Sequence, residues 1–382
     1  MSGSLSGLYG GRGAVLVSGQ GSRVVDSEGR EYIDFFNGHG AALFGHSNPE
    51  LLAALQAASR GLWSVGAGFD SPVREELAET LGGFVGGGRV FLCNSGSEAI
   101  EAALKLSVAL RPGRSRIMAC RRAFHGRTSG ALSLTFNPKY RMPFKALTAD
   151  VEHHNPEDLP GRIDENTIAV FVEPVQGEGG VYPLPEGVGR AISESCARAG
   201  AILVADEIQS GMGRCGAMLA SMLTGLDPDI ICLAKGLAGG LPVGATVWKD
   251  TLGDFPSHSH GSTYGGNELV CGVAVAALGL IREKNYATHA AELGALLRSS
   301  LEQLGESGGK RIIKGVRGLG LMVGLELDVP SIGVVKALQA RGLLSLTAGP
   351  RVVRFLPSYA AGSDDVFKAV GIVKETLAGF QP

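Results

Sequence analysis

Between residues 89 and 247 the chain repeats one pattern, a short apolar run, a turn, then a helical stretch. The runs fall at 90–93, 117–120, 168–172, 202–205 and 230–233, with 245–248 as a further candidate. They are nearly continuous in apolar character rather than alternating. Strands of that kind are buried on both faces, so the pattern predicts an α/β fold with a mostly parallel sheet flanked by helices. Two of these runs end in chemistry. The run through Ala205 closes on Asp206-Glu207-Ile208-Gln209, and the run through Leu233 closes on Ala234-Lys235-Gly236. In an open parallel sheet, ligands sit outside the carboxyl ends of the strands, so a carboxylate and an amine are expected at one edge.

The flanking regions read differently. Residues 24–35 read as a hairpin turning at Ser27-Glu28-Gly29-Arg30, and a helix opens at Pro49 and runs to 58. Beyond a helix starting near Asn267, the spacing predicts a helix over 290–304, strands at 311–316 and 319–326, a helix at 334–341, a strand at 352–356 and a last helix from Ser363. With 382 residues the chain exceeds one small core. We expect an N-terminal segment, 1–48, packing with a small domain; a large domain, 49–266; and a C-terminal small α+β domain, 267–382, so that the small domain draws on both chain ends.

Composition narrows the function. A net charge of -2 exerts no pull toward nucleic acid or an anionic membrane. The longest apolar stretch, 269–281, is too short to span a bilayer. The first residues carry no signal-peptide pattern, and the six cysteines show no C-x-x-C pair, which suits a reducing cytoplasm. His153-His154 and His258-x-His260 lack a third ligand nearby and read as loop histidines, with no metal expected.

Several motifs suit a phosphorylated, ring-bearing cofactor. Asn94-Ser95-Gly96-Ser97-Glu98-Ala99 follows a strand and opens a helix with capping-box spacing, a natural phosphate seat. Phe124-His125-Gly126-Arg127-Thr128 offers a flat aromatic and a carboxylate-binding fork. Glu173-Pro174-Val175-Gln176-Gly177-Glu178-Gly179-Gly180 places acids beyond a strand end. Gly261-Ser262-Thr263-Tyr264-Gly265-Gly266-Asn267 puts hydroxyls and glycines before a helix. Taken singly, these fit an ordinary capped helix, a core phenylalanine beside a solvated arginine, and plain turns.

Taken together and in order, they resemble the class III aminotransferases, fold-type-I pyridoxal-phosphate enzymes built on a seven-stranded-type sheet. The resemblance runs from Gly29-Arg30-Glu31-Tyr32 to Arg354-Phe355-Leu356-Pro357. It implies pyridoxal 5'-phosphate held covalently by Lys235, with Asp206 on the ring nitrogen, Gln209 on the phenolic oxygen and Phe124 on the ring face. Ser95, Gly96 and Ser97 would serve the phosphate, with His125 and Glu173 in the same set. Thr263 would reach the phosphate of a neighbouring subunit, which implies a homodimer with shared active sites. Arg127, Glu178, Ser262 and Arg354 would contact substrate: Arg354 takes the carboxylate beside the reacting carbon, Glu178 masks Arg354, and Arg127 holds the far carboxylate. Ser97 stands where relatives usually carry threonine, Glu268 replaces a common proline, and Cys215 a common threonine.

The resemblance is strongest to enzymes moving the terminal amino group of an N2-acylated ornithine, such as acetylornithine, to or from 2-oxoglutarate or glutamate in arginine and lysine biosynthesis. Relatives using carrier-protein-bound lysine or ornithine precursors, and 4-aminobutyrate or ornithine transaminases, are the alternatives. Six arginines at 111, 114, 116, 121, 122 and 127, with Lys139, Arg141 and Lys145, form either a dock for an acidic carrier protein or a solvated basic edge. A non-catalytic scaffold is disfavoured by the presence of both Lys235 and Asp206.

Overall fold

The computed structural model describes residues 6–8, 10–306 and 312–380. Strands β1 (Leu16–Gln20), β2 (Arg23–Asp26) and β3 (Glu31–Asp34) form an antiparallel meander, with β2 and β3 joined by the expected turn. Asp26 locks that turn by accepting from the N–H groups of Glu28 and Arg30 and from the Tyr32 hydroxyl.

The large sheet contains β4 (Gly88–Cys93), β5 (Arg116–Cys120), β6 (Glu152–His154), β7 (Thr167–Val172), β10 (Ile202–Asp206), β11 (Ile230–Leu233) and β12 (Gly244–Lys249). A small hairpin, β8 (Val175–Gln176) with β9 (Tyr182–Pro183), interrupts the series. The strand order is β4-β12-β11-β10-β7-β5-β6. Only β12 runs against its neighbours, so the sheet is mostly parallel as expected. All six residues of β7 and all five of β10 are buried, which is why their sequences are apolar apart from Thr167 at the start of one and Asp206 at the end of the other.

The edge strand β6 departs from expectation. His153 and His154 belong to it rather than to a loop, pairing in parallel with Ala119 and Cys120. Three half-buried polar residues at a sheet edge carry no apolar run to read.

At the C-terminal end, β13 (Ile313–Leu319), β14 (Met322–Leu327), β16 (Leu346–Thr347) and β17 (Val352–Phe355) form a second sheet in the order β13-β14-β17-β16, while β15 (Leu343–Leu344) joins β3 in parallel. The first hairpin turns later than expected, because Gly320 with φ +50° makes the turn and Gly318 stays within the strand. Arg311, placed in this strand from sequence, lies outside the described residues. Helices Tyr286–Glu306 and Ser331–Ala340 begin earlier than their apolar spacing suggested, and helix Ser363–Ala378 starts where expected. Among the described residues no helix is long and apolar enough to cross a membrane.

Behind the end of β10 lies a buried acid that holds the following loop. Glu207 is fully buried and accepts from Ser210 Oγ, Ser221 Oγ and the Ser221 N–H, each at 2.6 Å. Glu207→Ala strands these donors, so we expect a loss of about 2–3 kcal/mol in unfolding free energy, read as a lower denaturant midpoint. An unchanged midpoint would show that the loop does not depend on this acid.

Candidate active site

The parallel pairing of β10 with β11 sets Asp206 opposite Cys232, three residues before Lys235. Acid and amine therefore leave the sheet at the same edge. The backbone at the lysine is strained: Ala234 departs from both helix and strand geometry, and Lys235 has φ +34° in the left-handed region, uncommon for a non-glycine residue.

A cavity of about 320 Å³ opens at this edge. Ser95, Gly96, Ser97, Phe124, His125, Glu173, Asp206, Gln209 and Lys235 all line it, so nine residues singled out from widely separated motifs converge. Ile208 and the turn Gly240-Leu241-Pro242-Val243 line it as well. Those apolar positions gave no chemical signal in the sequence.

Each polar wall has an identifiable support. Ser95 caps helix Gly96–Leu110 by accepting from the Glu98 N–H at 3.2 Å, and Glu98 Oε2 accepts from the Asn94 N–H at 2.7 Å. The backbone bond from Ala99 N–H to the Ser95 carbonyl is the first of the helix. The N–H groups of Gly96 and Ser97 precede it, at the positive end of the helix dipole. A Cβ at position 96 would come within 2.8 Å of Ile208 Cγ2, so glycine there keeps the cradle open.

Asp206 Oδ2 lies 2.7 Å from His125 Nδ1, and its Oδ1 accepts from the Ile208 N–H at 3.0 Å. A carboxylate only accepts, so Nδ1 carries the proton. Burial opposes a charge on His125, but the bond to Asp206 and its negative charge raise the histidine pKa. Glu173 accepts from the N–H groups of Phe124 and Gly177, and burial pushes its carboxyl up.

Arg354 is fully buried. It donates from Nη2 to Glu178 Oε1 at 2.6 Å and from Nη1 to Gln209 Oε1 at 2.9 Å. Burial works against the Glu178 charge, yet Arg354 holds its carboxyl below the usual range. With Oε1 committed to Arg354, the Gln209 amide nitrogen remains for another partner. Arg127 is exposed; its guanidinium lies 3.7 Å from the centroid of the Tyr140 ring and 5.5 Å from that of Phe124.

Ser262 and Thr263 stand apart from this cavity. Ser262 Oγ accepts from Asn94 Nδ2 and the Gly265 N–H, both at 3.0 Å, which ties its loop to the end of β4. Thr263 is exposed. The basic segment also divides. Arg111 bonds the Gly200 carbonyl, Arg114 the Thr167 and Ala199 carbonyls, and Arg116 pairs with Glu152 and Asp164. These three serve the fold at or before the start of β5, whereas Arg121, Arg122 and Arg127 follow its carboxyl end on the cavity side.

Arg214 was missed in the sequence. It is fully buried without a carboxylate partner among the described residues, donating to the backbone carbonyls of Gln209 and Gly40. A polar residue in a glycine-rich stretch reads as a solvated turn, and only its burial reveals it as a strut.

These surroundings act on the amine. Burial, then the charge of Arg354, lower the Lys235 pKa to about 8, while Glu178 and Asp206 oppose them. The free amine is thus the major form above about pH 8, more than two units below an ordinary lysine. Labelling of Lys235 by an amine-reactive probe, followed by mass spectrometry against pH, is expected to inflect near that value. Glu178→Gln should move the inflection down and Arg354→Gln should move it up. An inflection near 10 in the parent would contradict the arrangement.

The donor set fits pyridoxal phosphate: a helix N-terminus for the phosphate, an acid fixed by a histidine, an aromatic wall and a low-pKa amine around one cavity. Comparison with known proteins agrees. The family model described as aminotransferase class-III matches residues 11–377. The LysW-aminoadipate semialdehyde/glutamate semialdehyde transaminase of Sulfolobus acidocaldarius is 38% identical, over 97% of this chain and 96% of its own. The acetylornithine aminotransferase of Clostridium acetobutylicum is also 38% identical, over 98% of both. The ornithine aminotransferase structure from Toxoplasma gondii, with pyridoxal phosphate at partial occupancy, superposes with a TM-score of 0.93 at 32% identity, covering 98% of this chain and 92% of that one. This chain therefore belongs to the class III aminotransferases and is a pyridoxal-phosphate-dependent transaminase.

Proposed function

We propose that this transaminase exchanges the terminal amino group of an N2-acylated ornithine with 2-oxoglutarate, and that Arg354 with Glu178 sets the order of its two half-reactions. The observation that carries this reading is the buried arginine held at 2.6 Å by an acid that is itself partly exposed. A carbon bearing a terminal amine has no carboxylate beside it, whereas glutamate has one at its reacting carbon. With Glu178 in place, Arg354 is neutralised and the terminal amine is accepted. With Glu178 turned out, a buried cation without a partner is costly, and the glutamate carboxylate restores the pairing.

Pyridoxal phosphate, when bound, supplies an aldehyde that attaches amines and a protonated ring that takes up the electron pair left at the substrate carbon. The remaining work falls to this chain. Asp206, positioned by His125, would hold the ring proton. Gln209 Nε2 serves the phenolic oxygen, and the N–H groups of Gly96 and Ser97 hold the phosphate, with Ser95 capping their helix. Phe124 walls the ring, and Glu173 fixes the Phe124 backbone. Lys235 Nζ, neutral above about pH 8, takes the proton from the substrate carbon and returns it in the opposite half-reaction. Arg127 holds the far carboxylate.

A homodimer completes the site, with Thr263 serving the partner's phosphate and Ser262 latching the Thr263 loop. Supporting this, Arg74 bonds the Phe69 and Gly266 carbonyls and pairs with Glu268, uniting two loops. Those loops expose Leu62 (72%), Phe69 (70%) and Tyr264 (66%), large apolar side chains of the kind partners cover. Arg121, Arg122 and Arg127 beyond the carboxyl end of β5, with Lys139, Arg141 and Lys145 downstream, suit an acidic carrier protein bearing the substrate. The relatives named for LysW support that alternative. Six buried cysteines, all free, suit a cytoplasmic setting.

Initial rates on acetylornithine, carrier-linked lysine precursor and 4-aminobutyrate, each with 2-oxoglutarate, test the substrate reading. We expect an acylated terminal amine to be preferred. Glu178→Ala should shift kcat/KM toward glutamate and away from the terminal amine by about tenfold or more. An unchanged ratio removes the masking role.

A further inference from the structure

The loop that carries Glu178 has little of its own to hold it. It joins β8 to β9, whose pairing ends at Gln176 and Tyr182, and reads Gly177-Glu178-Gly179-Gly180-Val181. Its glycines give the backbone wide freedom. The N–H groups of Gly180 and Val181 reach the Gly177 carbonyl only at 3.4 Å. Val181 nevertheless adopts φ +56°, a conformation that a β-branched residue does not take up by itself. Something outside the loop imposes it.

The C-terminal sheet does so. Strands β13, β14 and β17 are antiparallel, and their registers set Arg317 opposite Gly324 and Gly324 opposite Arg354. Directly opposed residues face the same side of a sheet, so the three form one row. Gly324 leaves a gap in that row, and Val181 fills it. Val181 is fully buried, and a Cβ at position 324 would come within 2.8 Å of Val181 Cβ. At one end of the row Arg317 donates from Nε to the Gly180 carbonyl at 2.8 Å. Its guanidinium lies 3.8 Å from the centroid of the Tyr182 ring and pairs through Nη1 with Glu326. At the other end, two strand spacings or about 10 Å away, Arg354 donates to the Glu178 carboxylate at 2.6 Å. The loop is thus laid along the row, with Gly180 fastened at Arg317, Val181 seated at Gly324 and Glu178 reaching Arg354.

We propose that Arg317 is a positioning residue for Glu178: by fastening the glycine loop it sets how readily Glu178 gives up Arg354, and hence the partition between the terminal-amine and glutamate half-reactions. This rests on the masking role proposed above for Glu178. Arg317 touches neither substrate nor cofactor and acts only through the loop. A loop released at Gly180 samples more conformations, and each added conformation dilutes the one in which Glu178 reaches Arg354. Arg354 is then open to the glutamate carboxylate for more of the time, at the expense of the terminal amine.

The test reads, in the holoenzyme, the ratio of kcat/KM for glutamate to that for a terminal amine (N2-acetylornithine, or 4-aminobutyrate if that turns over faster). Arg317→Met keeps an unbranched stem and removes the bond to Gly180, so the ratio is expected to move toward glutamate by about three- to tenfold. Because the effect runs through Glu178, the double variant with Glu178→Ala should show the ratio of Glu178→Ala alone. A merely structural role would lower both substrates alike and leave the ratio in place. Gly324→Ala unseats Val181 without touching a charge; it should move the ratio the same way, and it replaces Arg317→Met should that variant fold poorly. A parental ratio in these variants, alongside a shifted one in Glu178→Ala, overturns the positioning role and leaves the masking reading standing. A shift that persists in full without Glu178 overturns it as well. A parental ratio in Glu178→Ala removes the masking reading itself.

Discussion

Two adjacent parallel strands, Ile202–Asp206 and Ile230–Leu233, set the geometry on which the rest of this molecule depends. Parallel strands in register end at the same edge. An acid that closes one and a lysine just past the other are therefore delivered to one place without any long-range search by the side chains. The neighbouring strands β7 and β5 extend the same edge, bringing Glu173 and the Phe124-His125 turn to it. Helix Gly96–Leu110 brings its N-terminus there from β4 on the other flank, across the antiparallel β12.

Gathering charge at a buried edge is costly, because desolvation penalises each ion by several kcal/mol unless partners replace water. The structure answers with short, directional links. Asp206 is held by His125, Glu173 by two backbone N–H groups, and Arg354 by Glu178 and Gln209. Arg214 is the exception among the described residues, since it donates to the carbonyls of Gln209 and Gly40 and pairs with no acid. The imbalance is felt at Lys235, where burial and the nearby arginines outweigh the acids and favour the neutral amine. The same contacts that neutralise the site thus also prepare its base.

Much of the sheet was legible because burial on both faces writes itself as uninterrupted apolar residues. The run 230–233 coincides with a strand, and the neighbouring runs extend by one or two residues. Glu152–His154 was illegible because an edge strand need not be apolar. The late turn at Gly320 was misplaced because Arg317 and Gly318 resemble a turn, while Arg317 in fact pairs with Glu326 and packs on Tyr182. Among the cavity residues, those with distinctive chemistry beside glycine or at a strand end stood out, whereas Ile208, Arg214 and the turn at Gly240 did not. Nothing local separates a cavity wall or a buried strut from an ordinary turn.

By itself, then, the order of residues determined the sheet, its helical cover and the set of chemical groups at its carboxyl edge, because hydrophobic period and strand-end position are local properties. Only the tertiary structure decided which of those groups touch. It joined Arg354 to both Glu178 and Gln209 and split the basic segment across the two ends of one strand. Those outcomes depend on contacts between segments far apart in the chain, where burial and the identity of the partner fix the energy of a charge more than its neighbours in sequence do.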